Sequence, residues 1–313
     1  MRRAGWVVAL TAALVTSPAC GGSRQLASPP SAAPARPEAA IPGDLDWVLR
    51  LDLRRVRRAL GAARLIALGA EELTGDAPSV ARALLHADTL WLALRPGERL
   101  EDTDYVVIAQ GSFRDFTPAG EGEQWGPEVD LGADWRRQER RGLARLRRQD
   151  VARLYRSGDD VLVFVSAVEL HSVARQLERL EGDRRVTPPA LGVLSLAGRL
   201  ERRPLAFQRR APELGELLEG AREVTGHASL EAGELQVELA LEYADEPSAR
   251  AAETRAKEAL THALTVAPLR SWFAGSRLSR VGAHLVLRLT VPASAVQALL
   301  GADEASTEPG AVD

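Results

Sequence analysis

The sequence predicts an α+β fold of two similar halves, each an antiparallel sheet covered on one face by helices. Three observations lead to this prediction: a two-residue alternation between residues 234 and 243, an internal repeat, and apolar residues at helical spacing after one copy of the repeat. The chain has 313 residues, of which 45% are hydrophobic and 27% charged. These values are typical of a globular protein large enough for two domains.

The clearest strand runs from Glu234 to Tyr243, where apolar side chains at odd positions alternate with mostly polar ones at even positions. One face of such a strand is buried and the other is in water, which favours an antiparallel sheet over a doubly covered parallel one. Residues 221–230 form its expected hairpin partner. In the first half, residues 89–94 and 105–109 form the corresponding pair.

The internal repeat places residues 153–166 on residues 277–290 without a gap. Both copies are predicted to form a strand, a glycine turn and a second strand that ends at a hydroxyl residue able to cap a helix. An opening strand also recurs, at residues 48–51 and 193–196. The repeat therefore predicts halves at 44–183 and 184–300, and leaves open whether they form one continuous sheet or two separate domains.

Two helices follow from the apolar spacing. After the first hairpin, Ser166 and Glu169 match a capping box, and apolar residues then recur at helical spacing at Leu170, Val173, Leu177 and Leu180. A second helix is predicted from about residue 247 to 264, with Glu253 and Lys257 as an exposed pair one turn apart. Both helices are expected to cover the sheets.

The amino end has the pattern of an export signal. Two arginines precede a run of about ten apolar residues, and Ser17, Pro18 and Ala19 form a small-residue cleavage site directly before Cys20. The apolar run is too short to span a bilayer, which needs roughly 20 residues. Cys20 is the only cysteine, so the sequence excludes a disulfide framework and any cysteine-cluster metal site.

Residues 17–20 resemble the lipobox of bacterial lipoproteins, and the resemblance covers only the first twenty residues. In that family, signal peptidase II cuts before the cysteine, whose sulfur carries a diacylglyceryl group and whose amine is then acylated. The resemblance implies that Cys20 is the lipid anchor. In Gram-negative lipoproteins the residue after the cysteine helps to choose the membrane, and Gly21 resembles the class that is sorted to the outer membrane. This resemblance implies an exported protein on that membrane, facing the periplasm. The alternative is an ordinary signal peptidase I site that leaves a soluble exported protein.

The chain therefore divides into five predicted segments: a signal peptide at 1–19, a lipid anchor and Pro/Ala-rich linker at 20–43, the two halves at 44–183 and 184–300, and an acidic tail at 301–313. The linker holds five prolines among small residues and offers almost nothing to bury, so we expect it to be disordered. The tail is small, polar and acidic, and we expect it to be disordered as well.

The net charge of −3 and the pI near 6.1 provide no basic field for nucleic acid, which the sequence excludes as a partner. Residues 98–134 contain ten acidic residues and two arginines, whereas residues 136–156 contain nine arginines and two acidic residues. The two blocks either neutralise each other across paired strands or leave a basic surface for anionic lipid or an acidic envelope protein. The candidate surface comprises Arg136, Arg137, Arg140, Arg141, Arg145, Arg147 and Arg148.

The sequence contains no G-x-S-x-G elbow, Walker loop, H-E-x-x-H motif or EF-hand loop, and its five histidines have no metal-ligand spacing. The acidic pairs at 44/46, 102/104 and 159/160 lie at predicted turns or strand edges, where aspartate is common because its side chain forms hydrogen bonds with the backbone. We therefore expect no catalytic residue, metal or cofactor, and a lipid-anchored envelope protein that acts by binding or assembly. The alternatives are a periplasmic lipoprotein hydrolase with dispersed catalytic residues and a carrier of an apolar ligand or lipid.

Overall fold

The structure is a computed structural model. It describes residues 37–43, 45–60, 78–95, 104–118, 124–132, 134–142, 146, 150–178, 188, 190–200, 218–231, 234–265, 267–292 and 294. The predictions for the signal peptide, for Cys20, for most of the linker and for the acidic tail lie outside these residues. None of the helices within them is long and apolar enough to cross a membrane.

Twelve strands of the described residues form one antiparallel sheet. They are β1 (Trp47–Asp52), β2 (Ala87–Arg95), β3 (Asp104–Gly111), β4 (Val129–Gly132), β5 (Trp135–Glu139), β6 (Val151–Ser157), β7 (Val161–Ser166), β8 (Leu194–Arg199), β9 (Ala221–Glu231), β10 (Glu234–Tyr243), β11 (Arg277–Val281) and β12 (His284–Val291). Their order across the sheet is β11-β12-β10-β9-β8-β1-β2-β3-β7-β6-β5-β4. A large antiparallel sheet with a few helices confirms the coarse α+β prediction.

The sheet is continuous across the junction of the two halves. β1 pairs with β8 in antiparallel register, and Leu49 lies opposite Leu196 at the middle of the pair. Trp47 of β1 packs with Leu218, Leu241 and other residues of the second half. The halves therefore share one sheet and part of one core, which answers the question that the sequence left open.

In the described parts of the chain, five α-helices connect the strands: α1 (Leu53–Leu60), α2 (Pro78–His86), α3 (Leu170–Glu178), α4 (Glu246–Ala263) and α5 (Ala267–Phe273). α4 confirms the helix predicted near 247–264, and it begins where Asp245 accepts a hydrogen bond from the backbone N–H of Ser248 at 2.8 Å. α1 follows β1 directly, because Asp52 accepts in the same way from the N–H of Arg55 at 2.9 Å.

α3 confirms the helix predicted after the first hairpin, but not its capping box. The helix begins at Leu170, so Ser166 still belongs to β7 and stands four residues before the first helical residue. Val173 and Leu177 are buried, as the spacing predicts. The carboxylate of Glu169 is buried next to Arg95 instead of reaching back to the backbone of Ser166.

The gap-free alignment of the two repeat hairpins does not match the strand register. Ser157 pairs with Val161 across a three-residue turn, whereas Val281 pairs with His284 across a two-residue turn. Turn length sets hairpin register. In the gap-free alignment, the second strand of one hairpin is therefore displaced by one position relative to the second strand of the other. The two hairpins therefore correspond only with a one-residue gap at the turn.

The two faces of the sheet are covered differently. Face 1 carries Phe164 and packs against α1 and α2 in one hydrophobic cluster, while α4 packs on the same face over the second half. Face 2 carries Val163, the next residue along the strand, and packs against α3. All six residues of β7 are buried for this reason. The prediction of helices on one face is therefore wrong for the first half, which has helices on both.

The described chain begins with a 3-10 helix, Pro37–Ala40, on face 2. Ala40, Ile41 and Leu45 are each no more than 1% exposed and pack in the cluster that includes Val48 and α3 residues. Residues 37–43, which the sequence assigns to the linker, are therefore part of the folded body.

Candidate interaction surface

The described members of the predicted arginine surface do not share one face. Arg136 and Arg137 are consecutive in β5, so their side chains point to opposite faces of the sheet. Arg140 follows them and forms an isolated bridge with Trp125, and Arg141 is exposed in the next turn. The remaining members, Arg145, Arg147 and Arg148, lie outside the described residues.

Acidic neighbours accompany two of these arginines. Arg136 Nη1 is 3.5 Å from Glu128 Oε2, and Arg137 Nε is 3.7 Å from Glu139 Oε1. Glu139 also accepts a hydrogen bond from Arg153 Nη2 at 2.7 Å. Of these contacts, only the Arg136–Glu128 contact joins the two blocks and favours their mutual neutralisation, because Glu139 belongs to the arginine block itself. Exposed pairs of this kind contribute little to stability.

A row of buried charges that the sequence did not predict crosses face 2. Asp46, before β1, is 3.3 Å from Arg199 of β8, and the two residues are 153 positions apart in the chain. Glu169 is fully buried, 3.3 Å from Arg95, and buried Asp104 lies opposite Arg95 on β3. We infer a structural role, because removing one partner of a buried pair is costly.

The described members of the predicted aspartate pairs lie in two different environments. Asp46 and Asp104 enter the buried row, while Asp44 and Asp102 lie outside the described residues. Asp159 is half-exposed, 3.6 Å from Arg114. Within the described ranges, no group of three histidine, cysteine, aspartate or glutamate residues is arranged to hold a metal ion.

Face 2 of the second half is polar. In register across neighbouring strands lie Ser195, His227, Glu238 and Arg288. Glu238 accepts a hydrogen bond from Arg288 Nε at 2.6 Å, and in the next row Gln236 accepts one from the Thr290 hydroxyl at 2.8 Å. Arg288 and Glu238 are partly exposed on this side, as the alternation in β10 predicts, whereas Ser195 is buried.

On face 1, an ionic cluster ties β11 to α4. Arg280 Nε is 2.9 Å from Glu253 Oε2, and its Nη1 is 3.0 Å from Glu246 Oε1. Hydrogen bonds from Lys257 and then from Arg280 lower the pKa of Glu253. Hydrogen bonds from Arg280 and then from Arg250 lower the pKa of Glu246. The two carboxylates in turn raise the pKa of Arg280, so each member of the cluster favours the charged form of the others.

A shallow groove of about 470 Å³ lies on the outer side of α4. Its lining consists of Lys257, Glu258, Thr261, His262 and Thr265, all from α4 or the turn after it. The groove does not lie at the β1–β8 junction between the halves. The groove is therefore not a cleft between the two halves, where a catalytic site would be favoured.

Comparison with solved structures found a distant likeness of fold. The chain is similar to crystal form I of TP0453 with a TM-score of 0.51 and 9% identity, over 85% of this chain and 98% of that one. For crystal form III of TP0453 the TM-score is 0.49 and the identity 10%, over 87% and 99% of the two chains. No family model and no curated protein matches the chain. At this identity the comparison shows that the chain shares its fold with TP0453.

Proposed function

We propose that this chain is a lipid-anchored protein of the cell envelope that acts by binding or assembly and does not catalyse a reaction. The observation that carries the proposal is Cys20, the only cysteine, placed directly after a short apolar segment and a small-residue cleavage site. An exported chain with a single cysteine has no intramolecular disulfide partner for that thiol. Attachment of a lipid accounts for both the residue and its position.

The anchor and the folded body are compatible in length. Sixteen residues, 21–36, separate Cys20 from Pro37, where the described body begins. At about 3.1 Å per residue, a fully extended segment of this length reaches roughly 50 Å. Several acyl chains at about 0.8 kcal/mol per buried CH₂ would hold the protein firmly. The body would then reach partners beyond the headgroups without leaving the membrane.

The proposed place is the outer membrane, facing the periplasm, because Gly21 follows Cys20. The proposed partners are another envelope protein or anionic lipid. Arg141 is exposed and the Arg136 side chain is 43% exposed, so these are the described members through which the arginine surface would act. The proposal involves no catalytic residue, metal, cofactor or nucleic acid.

We also propose that the two halves are related by duplication. Read outward from the β1–β8 junction, one half has the order β1-β2-β3-β7-β6 and the other β8-β9-β10-β12-β11. Each half has an opening strand, then two further strands, and then a hairpin. The second strand of that hairpin pairs with the sheet and the first lies outside it. Superposition of the two halves in an experimental structure tests this, and a mismatch in strand direction at any of the five positions would reject it.

The test of the anchor is the intact mass of the protein extracted from membranes. We expect a mature chain that begins at Cys20 and carries diacylglyceryl and N-acyl groups. A Cys20→Ser variant should lose both the added mass and the membrane fractionation. Recovery of wild-type protein in the wash, with a free thiol at the first residue, would reject the anchor while leaving the fold unaffected.

A second candidate function, holding an apolar ligand, is supported by a leucine row on face 1. Leu92, Leu49 and Leu196 are cross-strand neighbours, and Leu239 follows beyond Gly226. All four leucines are only half-buried, whereas their outer cross-strand neighbours, Val107 and Leu287, are buried. Saturable binding of a fluorescent fatty acid, weakened at least tenfold by Leu196→Gln but not by Leu191→Gln at an exposed site, would support this function. Absence of saturable binding by the native chain would reject it.

A further inference from the structure

We propose that β11 is a self-association edge, at which two copies of this chain join by antiparallel pairing of their β11 strands. The proposal rests on the proposed assembly function and specifies its surface and its partner. It follows from three features: the regular free edge of β11, the direction of its backbone groups, and a register in which the strand complements itself.

The two ends of the sheet differ as pairing surfaces. β4 has four residues and a register shift between Asp130 and Gly132, and both Gly132 and Asp134 have positive φ, at 75° and 65°. Such irregularity blunts an edge strand. β11 forms five consecutive pairs with β12 and has no shift, and no strand of the described chain lies on its outer side. β11 is therefore the edge at which strand addition is geometrically open.

The turn after β11 decides which backbone groups point outward. Val281 and His284 flank the two-residue turn Gly282–Ala283, in which Gly282 has a φ of 59°. The pair that closes such a turn exchanges backbone hydrogen bonds, and hydrogen-bonded pairs then alternate along an antiparallel ladder. Ser279 and Arg277 therefore bond to β12. Leu278 and Arg280 are left with their N–H and C=O groups directed away from the sheet.

These outward groups complement a second copy of the same strand. With antiparallel β11 strands centred on Ser279, Leu278 lies opposite Arg280 of the second copy, and Arg280 lies opposite Leu278. Each of these two pairs exchanges two backbone hydrogen bonds, so the contact has four. The arrangement has a two-fold axis through the Ser279 pair, which is the commonest symmetry of protein dimers.

The side chains are compatible with this register. On face 2, Arg277 lies opposite Val281 of the second copy, and Val281 is 74% exposed in the single chain. On face 1, Arg280 lies opposite Leu278 while its guanidinium stays bound to α4. No like charges oppose each other. A register centred on Arg280 instead places two guanidinium groups opposite each other, which is unfavourable.

A single pair of five-residue strands is a small interface, so the dimer should be weak in dilute solution. A lipid anchor would confine the copies to one surface and raise their effective concentration. The contact is therefore suited to assembly on a membrane. In solution it has to be measured at high protein concentration.

Cysteine crosslinking tests the register directly. The full mature chain with Cys20→Ser has no thiol, so an introduced cysteine is the only one. Under mild oxidation at high concentration, Ser279→Cys should form a disulfide dimer, because Ser279 meets its own copy. Thr225→Cys, exposed on interior strand β9, is the matched control and should remain monomeric. Arg277→Cys and Val281→Cys should crosslink poorly alone and well when mixed.

Equal dimer yields from Ser279→Cys and Thr225→Cys would overturn the proposal, and so would a mixture of Arg277→Cys and Val281→Cys that crosslinks no better than either alone. Circular dichroism of each variant excludes a folding defect as the cause. Because these chains carry no lipid, a negative result concerns the edge alone. A wild-type chain that proves unlipidated contradicts the anchor and leaves the crosslinking result valid.

Charge at position 281 provides an independent test. Val281→Glu places a carboxylate opposite Arg277 of the second copy, and Val281→Lys places a second cation there. Sedimentation equilibrium should show dimerisation strengthened about threefold or more by the first change and weakened by the second, because opposite charges favour a cross-strand pair and like charges oppose it. Shifts in the same direction, or no shift in either variant, would overturn the proposed pairing.

Discussion

Replacing Ile41 with alanine tests whether the residues before β1 belong to the folded body. Ile41 is 1% exposed and packs in the face 2 cluster with Leu45 and Val48. The substitution removes three carbon atoms, and at about 0.8 kcal/mol per buried CH₂ the lost transfer energy is about 2.4 kcal/mol. The cavity left behind increases the cost, so the free energy of unfolding should fall by about 3 to 4 kcal/mol.

Urea unfolding followed by tryptophan fluorescence measures this loss, because Trp91 lies in the same cluster as Ile41. The slope of free energy against urea should stay unchanged, which shows that the same surface unfolds in both proteins. Leu191→Ala, at a residue 54% exposed, is the control and should change stability by no more than about 0.5 kcal/mol. A loss below about 1 kcal/mol for Ile41→Ala would refute the packing of this segment.

Truncation extends the same test. Removing the chain through residue 36 should leave the free energy of unfolding unchanged, because the proline- and alanine-rich composition of residues 21–36 predicts a disordered linker. Removing it through residue 43 should cost at least as much as Ile41→Ala, because Ala40 and Ile41 are then both lost from the core. Equal stability of the two truncated chains would place the start of the folded body after residue 43.

Gly198→Ala should destabilise the protein by about 1 to 3 kcal/mol in urea unfolding, because a Cβ there would stand 2.7 Å from the Trp47 ring; a neutral result would contradict this close contact. Arg199→Leu should cost about 3 to 5 kcal/mol by leaving Asp46 buried without this arginine, and adding Asp46→Leu should recover part of the loss; simple additivity would contradict the pairing. The two α4 carboxylates bound by Arg280 have lowered pKa values, so their stabilisation is present above about pH 4.5 and is lost as the pH falls through the lowered pKa. Arg280→Gln should therefore lower Tm at pH 7 more than at pH 3, and an equal Tm change at both pH values would show that the ion pairs contribute nothing.

Features that depend on neighbouring residues were predictable. The alternation in β10 and its hairpin with β9 appear as expected, because a period of two and a short polar turn are local signals. α4 was predictable from its apolar stripe, and the structure adds the Asp245 cap at its start. The opening strands of both halves also appear where the repeat predicts them.

Features that depend on distant residues were not predictable. Asp46 resembles a turn aspartate in the sequence, and only the pairing of β1 with β8 places it against Arg199. Likewise, the β7 residues form an apolar run without a visible preference for one face, and hydrophobic clusters on the two faces of the sheet bury alternate residues of it. The arginine surface divided for a similar reason, since consecutive strand residues point to opposite faces.

By itself, the sequence determined the strands and helices that have a clear periodicity, the antiparallel class of the fold, and the lipid-anchor hypothesis at Cys20. These follow from local periodicity, turn residues and a short amino-terminal pattern. Only the tertiary structure decided that the halves share one sheet, that residues 37–43 join the core, and that β11 is a regular free edge. Those outcomes depend on register and burial between residues far apart in the chain, where hydrophobic contact and charge pairing act through space and leave no local pattern.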